Sequence, residues 1–283
     1  MRLSVLEREL KLRLHFLGEE AHQTLRLLVE HYTGADAIAA ALHPETEVGD
    51  SAVGGILNAV SELEKGRPLQ YVLREAWFYG RPFTVDERVL VPRPETEELV
   101  HWLLAEHPDA EKCRVADWCT GSGCIAVTLA AERPSWSCEG MDAFEPVLQV
   151  ARENAAKVSA DVSFRLGDLL SDAGLSSGDG GYDLLVSNPP YVRLCEKSLM
   201  PARVKDYEPA EALFVPDDDP LLFYRALALW GRNALRRNGQ LYVETNEFLA
   251  PETAGLFHEH GYGEVTLRQD MQGKNRMIRA TLL

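Results

Sequence analysis

The run Ser187-Asn188-Pro189-Pro190-Tyr191 places two acceptors in one short, stiff stretch of chain. The amide oxygen of Asn188 and the carbonyl of Pro189 can together accept both protons of a planar amide or amino nitrogen. Pro189 and Pro190 restrict the backbone that carries these acceptors, and the Tyr191 ring can pack nearby. Acceptors held in this way align a nitrogen and polarise it toward an electrophile. A rigid turn with no chemistry is the competing reading. The guest nitrogen is equally compatible with a protein side chain or with a base extruded from DNA or RNA.

A second constellation lies upstream. Asp117-Trp118-Cys119-Thr120-Gly121-Ser122-Gly123 follows a predicted strand and enters the apolar run Cys124-Ile125-Ala126-Val127. Gly121 and Gly123 permit a tight turn and close ligand approach, and backbone N–H groups at the helix start can engage polar cofactor atoms. Asp117, Thr120, Gly121 and Gly123 are therefore the candidate cofactor residues of this loop, with the Asp117 carboxylate suited to a cationic amine. Neither GxGxxG nor GxxxxGK[ST] occurs, which argues against a dinucleotide oxidoreductase or a P-loop enzyme. Asp142 and Asp168 each follow a further predicted strand, so successive loops can gather their carboxylates around one nucleoside. Asp142 suits the two ribose hydroxyls and Asp168 the adenine amino group; helix capping and solvated charge are the alternatives. Asn188 sits where cofactor and acceptor nitrogen would meet. No dense His/Cys/Asp/Glu set calls for a metal.

These residues need a scaffold that brings several strand ends together. From residue 113 onward, β-like runs at 113–117, 138–142, 162–166 and 182–186 alternate with helical segments. That rhythm predicts a mainly parallel α/β sheet covered by helices on both faces, with ligands at the strand carboxyl ends. Residues 1–75 carry a helical period instead. Leu3, Leu6, Leu10, Leu14 and Leu17 form one stripe, Leu25, Leu28, Val29 and Tyr32 a second, and Val53, Ile56, Leu57, Val60 and Leu63 a third. They predict a small helical bundle for partner binding, with Asp50 or Ser51 capping the last helix. Residues 76–93 read as a connecting hairpin, with Asp86-Glu87-Arg88 turning the chain between 76–85 and 89–92. Pro94 then opens a helix with acidic residues in its first turn. Residues 172–181 read as a surface loop.

The 29 basic and 44 acidic residues leave a formal charge of −15, which disfavours a stable nucleic-acid complex. Early charges interrupt any secretion signal, and no apolar run approaches the roughly 20 residues needed to span a bilayer, so a cytoplasmic protein is expected. Cys113, Cys119, Cys124, Cys138 and Cys195 form no CxxC pair and are expected as thiols.

Over nearly its full length the sequence resembles the bacterial release-factor glutamine methyltransferases. The likeness is carried by Phe78-Tyr79-Gly80-Arg81-Pro82-Phe83, Pro92-Arg93-Pro94-Glu95-Thr96-Glu97, the Asp117 loop, Asn188-Pro189-Pro190-Tyr191, Tyr207-Glu208-Pro209 and Arg276-Met277-Ile278. The resemblance implies a seven-stranded, Rossmann-like catalytic domain over 94–283 that uses S-adenosylmethionine, with residues 239–244 as fifth strand and 262–268 and 276–282 as a final antiparallel pair. It implies release factors as partners, recognised by the helical domain, and N5-methylation of the glutamine in their Gly-Gly-Gln motif. Asn188 and the Pro189 carbonyl would hold the glutamine amide, with Tyr191 enclosing its side chain. Glutamine methylation on a ribosomal protein, amino-nitrogen methylation of DNA or RNA, and a noncatalytic interaction protein are the alternatives. One position departs from the pattern: Cys119 stands where the family commonly has glycine, so the loop is expected to bend differently or to narrow the pocket.

Overall fold

The computed structural model describes residues 1–108, 111–171 and 181–283, so the loop expected at 172–181 lies almost entirely outside the described residues. The chain divides into two compact units, Met1–Glu75 with Ala202–Tyr207, and Ala76–Pro201 with Glu208–Leu283.

In the first unit, α1 (Leu3–Arg13) buries Leu3, Leu6 and Leu10, and Leu14 continues the stripe into a 3-10 stretch, Leu14–Glu20. Gly18 breaks the helix there with a φ of 56°. Next come α2 (Ala21–Thr33), α3 (Ala37–Leu42), α4 (Asp50–Glu64) and α5 (Leu69–Leu73). Leu25, Leu28 and Val29 of α2 meet Ile56, Val60 and Leu63 of α4 in one core with the α1 leucines. Neither expected side-chain cap of α4 forms. Gly49 is the cap residue, and Asp50 is instead the first helical residue, where its charge suits the positive end of the helix dipole.

The second unit begins at Ala76, one residue into β1 (Glu75–Phe78), which forms a two-stranded pair with β2 (Arg81–Thr84). The hairpin turn is Tyr79-Gly80, both at positive φ (49° and 74°), and not Asp86-Glu87-Arg88. Residues 86–89 do turn, with the Val89 N–H donating to the Asp86 carbonyl, but 89–92 form no strand. Pro92 and Pro94 remove the alternate donors that a returning strand would need.

The main sheet is assembled from α6 (Pro94–Glu106), β3 (Arg114–Trp118), α7 (Cys124–Glu132), β4 (Ser137–Asp142), α8 (Glu145–Val158), β5 (Val162–Leu166) and β6 (Tyr182–Ser187). Then come β7 (Val192–Arg193), α9 (Ala202–Lys205), β8 (Phe214–Val215), α10 (Leu222–Ala234), β9 (Leu235–Glu244), α11 (Ala250–Glu259), β10 (Tyr262–Gln269) and β11 (Asn275–Leu282). Residues 202–207, expected in the catalytic segment, fold with the helical unit. There Arg203 makes a two-pronged ion pair with Glu20 at 2.6 and 2.8 Å, and the Tyr207 hydroxyl donates to the Lys65 carbonyl.

Seven strands lie in the order β10-β11-β9-β6-β3-β4-β5, and only β11 runs against its neighbours. Alternation along each strand splits the core between two faces. Val115, Leu184, Val186 and Tyr242 pack with α6 and α7, whereas Ala116, Leu185, Leu241 and Val243 pack with α10 and α11. The chain moves outward from β3 to β4 to β5, then returns to the other side of β3 as β6. Loops leaving β3 and its two neighbours therefore diverge and open a crevice at their carboxyl ends.

Candidate active site

The loops after β3, β4, β5 and β6 share the wall of one cavity of about 770 Å³. Cys119, Thr120 and Gly121 come from the first loop, Asp142 and Phe144 from the second, residues 167–170 from the third, and Asn188 and Pro190 from the fourth. Residues 87–96 and 209–223 supply further wall. The salt bridge from Arg93 to the buried Glu208 (2.5 Å), with the Val91 N–H donating to the other oxygen of that carboxylate, ties these two segments together.

Under the first loop, the Asp117 carboxylate is fully buried. Its Oδ2 accepts from the Thr120 hydroxyl at 2.6 Å and from the Ala126 N–H at 3.2 Å, doing for α7 what a capping side chain would. Gly123, the actual cap residue, has a φ of 79°, and a Cβ there would sit 3.1 Å from the Ala151 methyl. The turn is closed by the Thr120 N–H to the Met141 carbonyl. The Gly121 N–H donates to Asp142 Oδ2 at 3.0 Å, and the Phe144 N–H to Oδ1. Asp142 is thus locked at the end of β4 with its remaining lone pairs at the cavity, and burial pushes its pKa up. Asp168 is exposed and accepts from the Leu170 N–H at 2.9 Å.

Not every expected residue reaches the cavity. Asp117, Gly123, Pro189 and Tyr191 stand behind its wall. Asp117 and Gly123 shape the loop and do not line the cavity. Tyr191, expected to enclose the guest, turns its hydroxyl to Glu244 Oε1 at 2.8 Å. That link was invisible along the chain, because Glu244 ends β9 and is 53 residues away. Glu244, 1% exposed, also accepts from the Thr96 hydroxyl at 2.6 Å, and Thr96 in turn accepts from Asn188 Nδ2 at 3.0 Å. Along the sequence, Thr96 stands out only as part of a helix start and of the motif at 92–97, with no role of its own. Nor does the sequence mark Phe144, an aromatic ring left 49% exposed on the cavity wall two residues after Asp142, where a flat base can stack. A carboxylate closing the apolar run Leu241-Tyr242-Val243-Glu244 was the signal available for Glu244.

The donor set fits a nucleoside cofactor that carries a positive charge. Asp142 offers paired acceptors for a ribose, and Gly121 adds no side chain where the ligand must come close. Beneath the loop, Asp117 Oδ1 is buried with no hydrogen-bond partner. Burial, with a smaller contribution from the nearby Asp142 charge, pushes the carboxyl up to about 7. A raised folded-state pKa means that the folded protein holds this proton more tightly than the unfolded chain. The stabilising effect is complete below about pH 4 and is lost as pH rises through about 7. Asp117→Asn is expected to abolish this loss. In denaturant melts, the stability of the variant relative to the parent should rise by up to about 4 kcal/mol between pH 4 and 8. A difference that stays flat over that range would show that the buried carboxylate does not titrate there.

Cys119 adopts a φ of 61°, the left-handed conformation that glycine takes without strain. The loop therefore holds a left-handed backbone at this position with a side chain on it. The side chain does add to the cavity wall. Relief of left-handed strain and loss of thiol packing oppose each other, so Cys119→Gly should leave unfolding stability within about 1 kcal/mol. A loss beyond about 2 kcal/mol in a denaturant titration would show that the thiol is a structural anchor.

Among the described residues, no group of three His, Cys, Asp or Glu could hold a metal ion, and no helix is long and apolar enough to cross a membrane. The strand order and the crevice at the carboxyl ends of β3, β4 and β6, with Asp142 and Asn188 in one wall, are those of a Rossmann-like methyltransferase. Family models match two parts of the chain: residues 98–202 match the methyltransferase small domain, and residues 8–73 match the PrmC N-terminal domain. A release factor glutamine methyltransferase from Flavobacterium psychrophilum is 36% identical over 267 residues, covering 93% of each chain. Another, from Bacteroides thetaiotaomicron, is 43% identical over 223 residues, covering 79% of each. The chain belongs to the release factor glutamine methyltransferase family. For the fold alone, a Pyrococcus furiosus methyltransferase aligns with a TM-score of 0.54 at 15% identity, over 78% of this chain and 98% of that one. A Thermus thermophilus 16S rRNA N2 G1207 methyltransferase, solved with AdoMet and guanosine, aligns at 0.53 and 15%, over 74% and 50%.

Proposed function

We propose that this protein transfers a methyl group from S-adenosylmethionine to the side-chain amide nitrogen of the Gly-Gly-Gln glutamine in peptide-chain release factors. The products are N5-methylglutamine, S-adenosylhomocysteine and one proton. The observation that carries the reading is Asn188 in the wall of the same cavity as Asp142 and the Gly121 loop. When bound, S-adenosylmethionine supplies an electrophilic methyl on a sulfonium. Asp142 would hold its ribose, Phe144 and Asp168 its adenine, and Thr120 and Gly121 its methionyl end, while Asp117 offsets its positive charge from below.

An amide nitrogen is a poor nucleophile because its lone pair is delocalised into the carbonyl. Rate must therefore come from positioning and from acceptors that strengthen as positive charge develops on that nitrogen. Asn188 Oδ1 is the acceptor that the cavity wall presents in this reading, with Pro190 beside it; the Pro189 carbonyl, expected as the second acceptor, stands behind that wall. The helical segment 1–75 is the recognition domain for the release factor, residues 76–93 join it to the catalytic residues 94–283, and the protein works in the cytoplasm. The excess of acidic residues supports a protein over a nucleic-acid substrate.

The deciding experiment is transfer of labelled methyl to purified release factors, a ribosomal protein fraction and nucleic acid, with residue-level mass spectrometry. Label on the Gly-Gly-Gln glutamine supports the proposal. Label only on ribosomal protein or nucleic acid, or partner binding without any transfer, overturns it.

A further inference from the structure

An asparagine amide has an acceptor end and a donor end of nearly the same shape, and a half-turn about its last bond exchanges them. For a glutamine nitrogen that brings two N–H donors, only the oxygen end is useful. With the amide reversed, donor would face donor and the nitrogen would lose its alignment. Something must therefore choose the orientation of Asn188, and the hydrogen bonds that run from it through Thr96, at the cavity wall, to the buried Glu244 can do so.

Glu244 Oε2 lies 2.6 Å from the Thr96 hydroxyl, and both side chains are almost completely buried. An ionised carboxylate only accepts, so Thr96 must commit its single proton to Glu244. What remains on the Thr96 oxygen is acceptor capacity, 3.0 Å from the Asn188 amide, and only the NH₂ end can satisfy it. The amide oxygen is then the end left for the cavity. The other carboxylate oxygen, Oε1, accepts from the Tyr191 hydroxyl at 2.8 Å, so Asn188 and Tyr191 both hang from one group at the end of β9. The strand itself is held by the Tyr224 hydroxyl, which donates to the Glu244 carbonyl. Burial pushes the Glu244 pKa up; against it, the hydrogen bonds from Thr96 and Tyr191 and the nearby Arg276 charge favour the ionised form and so the direction of the relay.

We infer that Thr96 and Glu244 are positioning residues for methyl transfer: their buried hydrogen-bond relay sets which end of the Asn188 amide faces the acceptor nitrogen. The inference rests on the methyl-transfer reading above. Neither residue lies in the loops that would hold the cofactor, so the relay should act on the chemical step and not on cofactor affinity.

The test compares Thr96→Val, Thr96→Ser and Glu244→Gln with the parent enzyme. Thr96→Val removes the hydroxyl at nearly equal volume, and Thr96→Ser restores it. Glu244→Gln offers an NH₂ that can donate to Thr96 and reverse the relay. The readouts are single-turnover transfer from S-adenosylmethionine to a release factor, with both saturating, and the cofactor Kd from a separate titration. Thr96→Val and Glu244→Gln should each slow transfer by about 100-fold, with cofactor Kd within about twofold of the parent. Thr96→Ser should recover transfer to within about threefold of the parent. Adding Thr96→Val to Asn188→Ala should cost nothing further, since the amide that the relay orients is gone. Parent-like transfer by Thr96→Val, failure of serine to rescue, or a fall in cofactor affinity that matches the fall in rate would overturn the relay. Absence of glutamine methylation by the parent enzyme would instead overturn the functional reading on which it rests.

Discussion

Replacing Asn188 by alanine is expected to slow single-turnover methyl transfer by about 100- to 1000-fold, with cofactor affinity within about twofold of the parent. The side chain is short, follows β6 directly and is tethered by its nitrogen to Thr96. Its truncation therefore removes one acceptor without loosening the strand. The backbone before it stays clamped, because the Ser187 hydroxyl donates to the Trp118 carbonyl across the β3–β6 pair at 2.6 Å. What is lost is an acceptor fixed in a low-dielectric wall, where it opposes the positive charge that grows on the attacking nitrogen. A group of that kind contributes more to the transition state than to the ground state, so the rate should fall while substrate binding changes much less. Single-turnover kinetics at saturating cofactor and release factor isolate the step. Unchanged chemistry would remove Asn188 from the mechanism, and an equal loss of cofactor affinity would reassign it to the cofactor side.

Asp142→Ala should do the reverse. Cofactor Kd is expected to rise by about 100- to 1000-fold, while the rate at saturating cofactor stays within about tenfold of the parent. Two effects add in that variant. Hydrogen bonds from neutral hydroxyls to a charged acceptor contribute roughly 1.5–3 kcal/mol each, and a ribose offers two. The same carboxylate also receives the Gly121 and Phe144 N–H groups, so its removal also loosens the cavity wall that these loops form. Asp142→Asn keeps one acceptor and should fall between alanine and the parent. Titration of S-adenosylmethionine by calorimetry separates the three proteins, and equal affinity across them would eliminate the ribose contact.

The expected strand ends at residues 117, 142, 166 and 186 fall within one residue of the observed ones, because β-branched and apolar runs stop where acidic or glycine-rich loops begin. Loop membership followed from the same breaks. The direction in which a side chain points did not. Asp117 reads as a ligand contact because it borders a glycine loop, yet it supports that loop from below through Thr120 and Ala126. Tyr191 reads as part of the pocket because it adjoins Asn188, yet its hydroxyl belongs to a buried carboxylate on another strand. The hairpin shows the same limit on a smaller scale. Asp86-Glu87-Arg88 has turn chemistry, but Tyr79-Gly80 is the pair whose left-handed backbone matches the twist of two paired strands.

By itself the sequence determined the kinds of elements, the order of the loops and the short run of chain able to accept an amino nitrogen. These depend on local spacing, and local spacing is what a chain carries along its length. Tertiary structure alone decided that Thr96, Asn188, Tyr191 and Glu244 form one hydrogen-bonded group. Thr96 and Glu244 are 148 residues apart and meet only because β9 returns beside β6 under the start of α6. A carboxylate buried at that meeting point must be satisfied by donors, wherever in the chain they come from. That requirement brings the residues of the pocket into register, and no spacing rule along the sequence expresses it.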